Sequence, residues 1–179
     1  MPNMKHFVTL ALLSLAIPLF AQDSKPANLK SVLLMELRET HNDKQWFVPA
    51  NVAVAGLTAE QASWKDGKGN HSVGQLAYHL VFWNTRALAQ LKHQPVDKFS
   101  GNNDETFDNF NAKQWDDMVK QLDQVLTDLE KSVESADDAT LAKWAPTIGR
   151  ISMHNAYHIG EIVMVRKEQG SWNPENGVK

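Results

Sequence analysis

The chain has 179 residues, 42% hydrophobic and 22% charged, with a formal net charge of -3. That balance predicts one globular domain with a sizeable core; it lacks the basic footprint of a nucleic-acid binder and gives no attraction to an anionic membrane surface. There are no cysteines, so the chain has no thiolate nucleophile, no thiolate metal ligand and no cysteine for a lipid anchor, and any metal must be held by nitrogen and oxygen.

The N-terminal stretch "MPNMKHFVTLALLSLAIPLFAQD" places Lys5 and His6 before an apolar run from Phe7 to Phe20, followed by Ala21. Residues 1–21 read as a secretory signal peptide cut near Ala21. The run is too short for a comfortable membrane span. The expectation is an exported protein, periplasmic or secreted, with no stable membrane anchor once the leader is gone. Residues 22–28 form a short polar linker.

Leu29, Val32, Leu33 and Leu37 recur at helical spacing and predict a first helix from about Leu29 to Trp46, continuing unevenly past Pro49. "LTAEQASWKDGKGNHS" reads as a connection in which Thr58 and Gln61 could cap one turn. Ser72 is the expected N-cap of a second helix, "SVGQLAYHLVFWNTRALAQLKH", bounded by Pro95. "FSGNNDETFDNFN" is turn-rich and expected to be a loop, and Asn111 with Gln114 resembles a capping box for a third helix. In that third helix Trp115, Met118, Leu122, Val125, Leu129 and Val133 step by three and four residues, an amphipathic core pattern whose acidic residues are expected only to be solvated. "ESADDATLAKWAPT" reads as another connection, and the fourth helix is expected from about Ile148 to Glu168 with Gly170 as its stop. Four long helices and no convincing alternating strand predict an all-α four-helix bundle over residues 29–172, with residues 173–179 as a C-terminal tail.

The stretch "MHNAYHIGEIV", residues 153–163, places His154, His158 and Glu161 on one stripe of the fourth helix. Three titratable groups together are costly to bury unless a metal ion, a hydrogen-bond network or water satisfies them. His79 lies mid-helix in "QLAYHLVFW" among apolar neighbours, so a facing helix could bring a third imidazole to the same ion, as bundle cores do. Taken alone, such a histidine is more often a hydrogen-bonded core residue, and an H-x-x-x-H spacing is a common accident. The H-E-x-x-H arrangement of zinc proteases is absent. His41 and His93, near helix ends in polar surroundings, are expected to be solvent-exposed; His71, just before the Ser72 cap, is expected to serve the loop, although it could border a site opening.

The pieces "GLTAEQASWK", "NHSVGQLAYHLVFWN", "DNF" and "MHNAYHIGEIVMVRKEQGSW", in this order and spacing, resemble the DinB-like superfamily of four-helix-bundle proteins, which includes YfiT-type metal-dependent hydrolases. The resemblance runs from about Leu29 to Trp172. It implies one divalent transition metal, zinc or nickel first among the candidates, held by His79, His154 and His158. Relatives often have glutamine where this chain has Glu161, which implies that Glu161 stands behind the ligands rather than holding the ion. Some relatives are thiol S-transferases or thiol-dependent isomerases, others are called hydrolases, and many have no known activity.

Three imidazoles on one ion leave positions for water or substrate. The leading expectation is therefore a metal-dependent hydrolase acting on a small molecule, with Glu161 able to accept a proton from the bound water. The alternatives are metal-assisted transfer of a small thiol, and a metal-binding or structural bundle without turnover. A homodimer is left open.

Overall fold

The computed structural model describes residues 27–178. The expected leader, its cleavage point and most of the linker lie outside these residues. Among the described residues the fold is all-helical, with six α-helices and three short 3-10 turns, and no helix is long and apolar enough to cross a membrane. The α-helices are α1 (Leu29–His41), α2 (Ala50–Val54), α3 (Ala59–Ser63), α4 (Val73–Leu91), α5 (Trp115–Ser135) and α6 (Asp138–Gln169). The long helices α1 and α4 each pack against both α5 and α6, so α1 and α4 stand at diagonal corners.

The core follows the apolar pattern of α5: Trp115, Met118, Leu122, Val125, Leu129 and Val133 are all buried. They meet Leu33 and Leu37 of α1, Leu76 and Leu80 of α4, and Ile148, Ile159 and Ile162 of α6 in one cluster. Each fully buried leucine or isoleucine stabilises the fold by ~1.5–3 kcal/mol relative to exposure. The Ser72 cap is as expected, with Ser72 Oγ accepting from Gln75 N while the Gln75 side chain accepts from Ser72 N. Thr58 and Gln61 make the same reciprocal box at α3. Near the start of α4, Gly74 lets the Phe110 ring lie against the backbone, where a Cβ would fall inside the ring.

Four expectations are corrected. α1 ends at His41 rather than near Trp46: the N–H groups of Asn42 and Asp43 both turn back to Arg38 O, and Trp46 is left 95% exposed. Asn111 caps a 3-10 turn through Lys113 N rather than boxing with Gln114, and α5 starts at Trp115. α6 begins ten residues earlier than expected, at Asp138 rather than Ile148, because Asp137 caps it through Thr140 N and the helix runs through Pro146. Proline deprives the carbonyl four residues back of its donor, but Ala142 and Pro146 are both exposed, so water can reach that carbonyl.

The fourth correction concerns charge. His41 is buried, 1% exposed, instead of solvated. Its Nδ1 lies 2.5 Å from Glu130 Oε1 and its Nε2 2.9 Å from Asp123 Oδ1, both on α5. Arg38 also pairs with Glu130 and Glu134. The acids of α5 therefore tie α1 to α5 rather than merely facing water. His93 is exposed as expected.

Two polar contacts set the register on which the site depends. Asn84 of α4 and Asn155 of α6 are buried and exchange amide hydrogen bonds of 2.7 and 3.0 Å. Arg166, also buried, donates to Ala53 O and Ala55 O at the end of α2 and to Ser171 O beyond α6. Gly170 ends α6 in the left-handed region, φ 79°, where an absent Cβ avoids strain.

Candidate metal centre

Helical geometry puts His154 and His158 one turn apart on α6, and the Asn84–Asn155 pair brings α4 alongside at the matching height. His79 therefore meets them: one ring nitrogen from each of the three histidines lies within 4.8 Å of the others. His79 Nε2 and His154 Nε2 are 3.0 Å apart. Two nitrogens on one tetrahedral zinc, each at ~2.0–2.1 Å, would stand ~3.3 Å apart.

Hydrogen bonds behind two rings fix which nitrogen faces inward. Thr106 Oγ1 gives its single proton to Asn103 O at 2.6 Å. It can then only accept from His79, whose Nδ1 is 2.6 Å away. His79 Nδ1 carries the proton, and Nε2 presents a lone pair. On α6, His158 Nδ1 lies 2.6 Å from Glu161 Oε2. A carboxylate only accepts, so His158 Nδ1 is also the protonated nitrogen. His154 Nδ1 is buried with no hydrogen-bond partner, while its Nε2 lies 3.0 Å from the unprotonated His79 Nε2. Both partners occupy the position that orients metal-ligating histidines.

The electrostatics favour neutral rings. Burial pushes His79 down to about 3, with help from the neighbouring His158, His154 and His71. Burial, followed by His158, pushes His154 down to about 4. Both are therefore uncharged near neutrality, the form that coordinates metal. The donor set, its spacing and its protonation fit a divalent ion: the group could hold a metal, while its three nitrogens alone do not select which one.

The loop between α4 and α5 supplies more of the site than its turn-rich sequence suggested. Its 3-10 turn, Asn103–Phe107, buries Thr106 and Phe107 against α4. The Phe107 ring stacks between His79 and His71, at 3.9 Å from each centroid and within 5° of parallel. His71 thus ends a three-ring stack at the site opening rather than serving the loop alone. The sequence signal for Thr106 and Phe107 was faint: Phe107 is one of three phenylalanines spaced through a polar run, with nothing to single it out.

A cleft of about 630 Å³ opens over the histidines, with Trp83, Tyr157, Asp104 and Glu161 in its walls. A groove of about 640 Å³ adjoins it along α6 and shares His71, Tyr157 and Glu161. Both volumes suit small molecules. The Tyr157 hydroxyl is pushed up by the Glu161 carboxylate beside it.

A model of the DinB superfamily matches residues 50–162, from the first residue of α2 to just past Glu161. The chain belongs to the DinB superfamily. All three histidines fall inside the matched span, whereas α1 and its His41 network lie before it. No curated protein and no solved structure matches the chain.

Proposed function

We propose that this DinB superfamily member is a metal-dependent hydrolase whose divalent ion is held by His79, His154 and His158. The observation that carries the reading is the convergence of three buried or half-buried imidazoles, two of them tautomerically set by Thr106 and Glu161. A divalent ion bound there would supply Lewis acidity and lower the pKa of water at its open positions.

The chain's own residues have separate tasks. Thr106 holds the His79 ring, and Phe107 covers one face of it against solvent. Trp83 and Tyr157 wall the cleft in which a substrate would lie. Glu161 orients His158 and remains 41% exposed in the same cleft, so it can both align a ligand and accept a proton released from attacking water. Export, proposed from residues 1–21, completes the reading and is checked by N-terminal sequencing of the native protein.

The deciding experiment compares wild type with a His79→Ala/His154→Ala/His158→Ala variant, each loaded with zinc or nickel and dialysed. Elemental analysis should find one ion per wild-type chain and only traces in the variant. Ester and amide panels should be turned over by the loaded wild type alone. Equal trace metal in both proteins would leave the histidines a polar network. Bound metal without turnover would leave a metal-binding bundle.

A further inference from the structure

The groove beside the histidine cleft has a charge pattern that says what kind of molecule it takes. Its floor and walls include apolar Leu76, Met164 and Val165, with the exposed Tyr157 ring. Gly160 lines it too, and the position of its missing Cβ is open space, so nothing closes the middle of the groove. Among the described residues, no lysine or arginine lines either the groove or the cleft, whereas Asp104, Glu161 and Glu168 do.

The carboxylates are not equivalent. Glu161 is engaged by His158 at 2.6 Å. Glu168 is exposed at the other end of the groove. It lies seven residues further along α6, two turns on the same face and ~10 Å away at 1.5 Å per residue. An anionic group at that end would be repelled, and a neutral one would gain nothing from the charge. A cationic group there would meet an unopposed carboxylate, while its hydrocarbon body lay on Leu76, Met164 and Val165.

We propose that the substrate of this site is an amine-bearing ester or amide: an apolar chain with a protonated amine held by Glu168 and its scissile carbonyl at the histidines, of which His158 lies ten residues back along α6, ~15 Å away. The proposal rests on the hydrolase reading above for the scissile bond, and on the groove alone for the amine. If that bond is cleaved, water adds to the carbonyl carbon, the C–O or C–N bond to the leaving group breaks, and the proton lost by water ends on the alcohol or amine released. No oxidant or cofactor is consumed.

The test uses the full metal-loaded chain and two amides that differ only in the terminal amine, 8-aminooctanamide and octanamide, with binding measured by calorimetry. The amine should bind about fivefold more tightly, the upper range for a partly exposed ion pair, and added salt should shrink the difference. Glu168→Gln should bring the two amides to equal affinity. Equal binding to wild type, or a preference that survives Glu168→Gln, overturns the proposal. Turnover of p-nitrophenyl 8-aminooctanoate, p-nitrophenyl octanoate and mono-p-nitrophenyl suberate separates this failure from that of the hydrolase. Equal metal-dependent turnover of all three removes the amine preference and keeps the hydrolase. Amine-selective binding with no turnover of any ester keeps the groove's preference and removes the hydrolase.

Discussion

His41 and the His79–His154–His158 group are both buried histidine centres between long helices, but their partners differ. Each ring nitrogen of His41 meets a carboxylate, Glu130 or Asp123, and Asn51 also donates to Asp123 at 2.9 Å. That centre is complete: its polar atoms are satisfied within the chain, and it joins α1 to α5. The second group turns imidazoles toward one another, with two Nε2 atoms 3.0 Å apart and the partners placed behind the rings. Such an arrangement leaves lone pairs converging on a point where the chain provides no donor beyond the rings themselves. A buried histidine therefore does not by itself mark a site. What distinguishes the two is whether the inward-facing nitrogens are answered by carboxylates or only by one another.

The largest effect should come from exchanging the damage between them. His79→Ala should lower metal affinity by more than ~100-fold, beyond the ~10–100-fold typical when a group behind a ligand is lost. His41→Ala should leave metal content unchanged while destabilising the chain by ~2–3 kcal/mol. That is below the ~3–5 kcal/mol of a fully buried pair, because the Asp123 side chain is 55% exposed. Competition titration and urea unfolding on both variants check this. A His41→Ala chain that is folded but metal-free would show that the two centres are not independent.

Thr106 sharpens the comparison from within the second group. Thr106→Val keeps the shape but removes the acceptor for His79 Nδ1–H, so the ring can turn or change tautomer. Metal affinity should fall ~10–100-fold, and Thr106→Ser should restore it. Equal losses in the valine and serine variants would assign Thr106 to packing alone.

How much of this was legible in sequence differs between the two centres. The three histidines could be named, because a four-residue spacing on α6 and an isolated polar residue in apolar α4 are local signals. The core stripe of α5 and the Ser72 cap were equally legible, since each needs only neighbours along the chain. Thr106 and His41 were not. Their partners are 27 and 82–89 residues away, and nothing beside them in the chain announces a buried acceptor. The start of α6 was hidden for a different reason. Pro146 and the acidic Asp137–Asp138 pair look like a connection, until the exposed face of the helix makes the proline tolerable.

Acid should erode the two centres in turn. In the metal-free fold His79 is held down to about 3 and His154 to about 4, against an ordinary value near 6.5. The unfolded chain therefore takes up these protons first. The stability they contribute is complete above ~6.5 and is lost as pH falls toward the folded values, at ~1.4 kcal/mol per pH unit for each ring while its window lasts. Asp123, lowered by its hydrogen bonds from His41 and then Asn51, keeps its contribution until pH falls below the ordinary carboxylate value of 3.8. Urea titrations between about pH 6.5 and about pH 4 should show a slope that drops by one proton in His79→Ala. The same depression lets metal stay bound at more acidic pH than free imidazoles would allow. A slope unchanged by His79→Ala would remove that residue from the acid response.

The smallest effect on metal affinity is expected at Glu161. Glu161→Gln keeps an oxygen that can accept from His158 Nδ1–H, now neutral instead of charged, so the ring stays oriented by a weaker bond. Metal affinity should fall by less than ~10-fold, under the range for losing such a partner outright. The amide cannot take up a proton near neutrality, however. If Glu161 accepts a proton during turnover, kcat should fall ~10²–10⁴-fold on the same preparation. If its role ends at aligning His158, kcat should follow the small change in metal affinity and recover at saturating metal. A large loss of metal would instead make the carboxylate a ligand through Oε1, since Oε2 already accepts from His158 at 2.6 Å. Measuring affinity and kcat on one Glu161→Gln sample, at limiting and at saturating metal, separates these outcomes. Unchanged values for both would place Glu161 with the solvated residues of the rim.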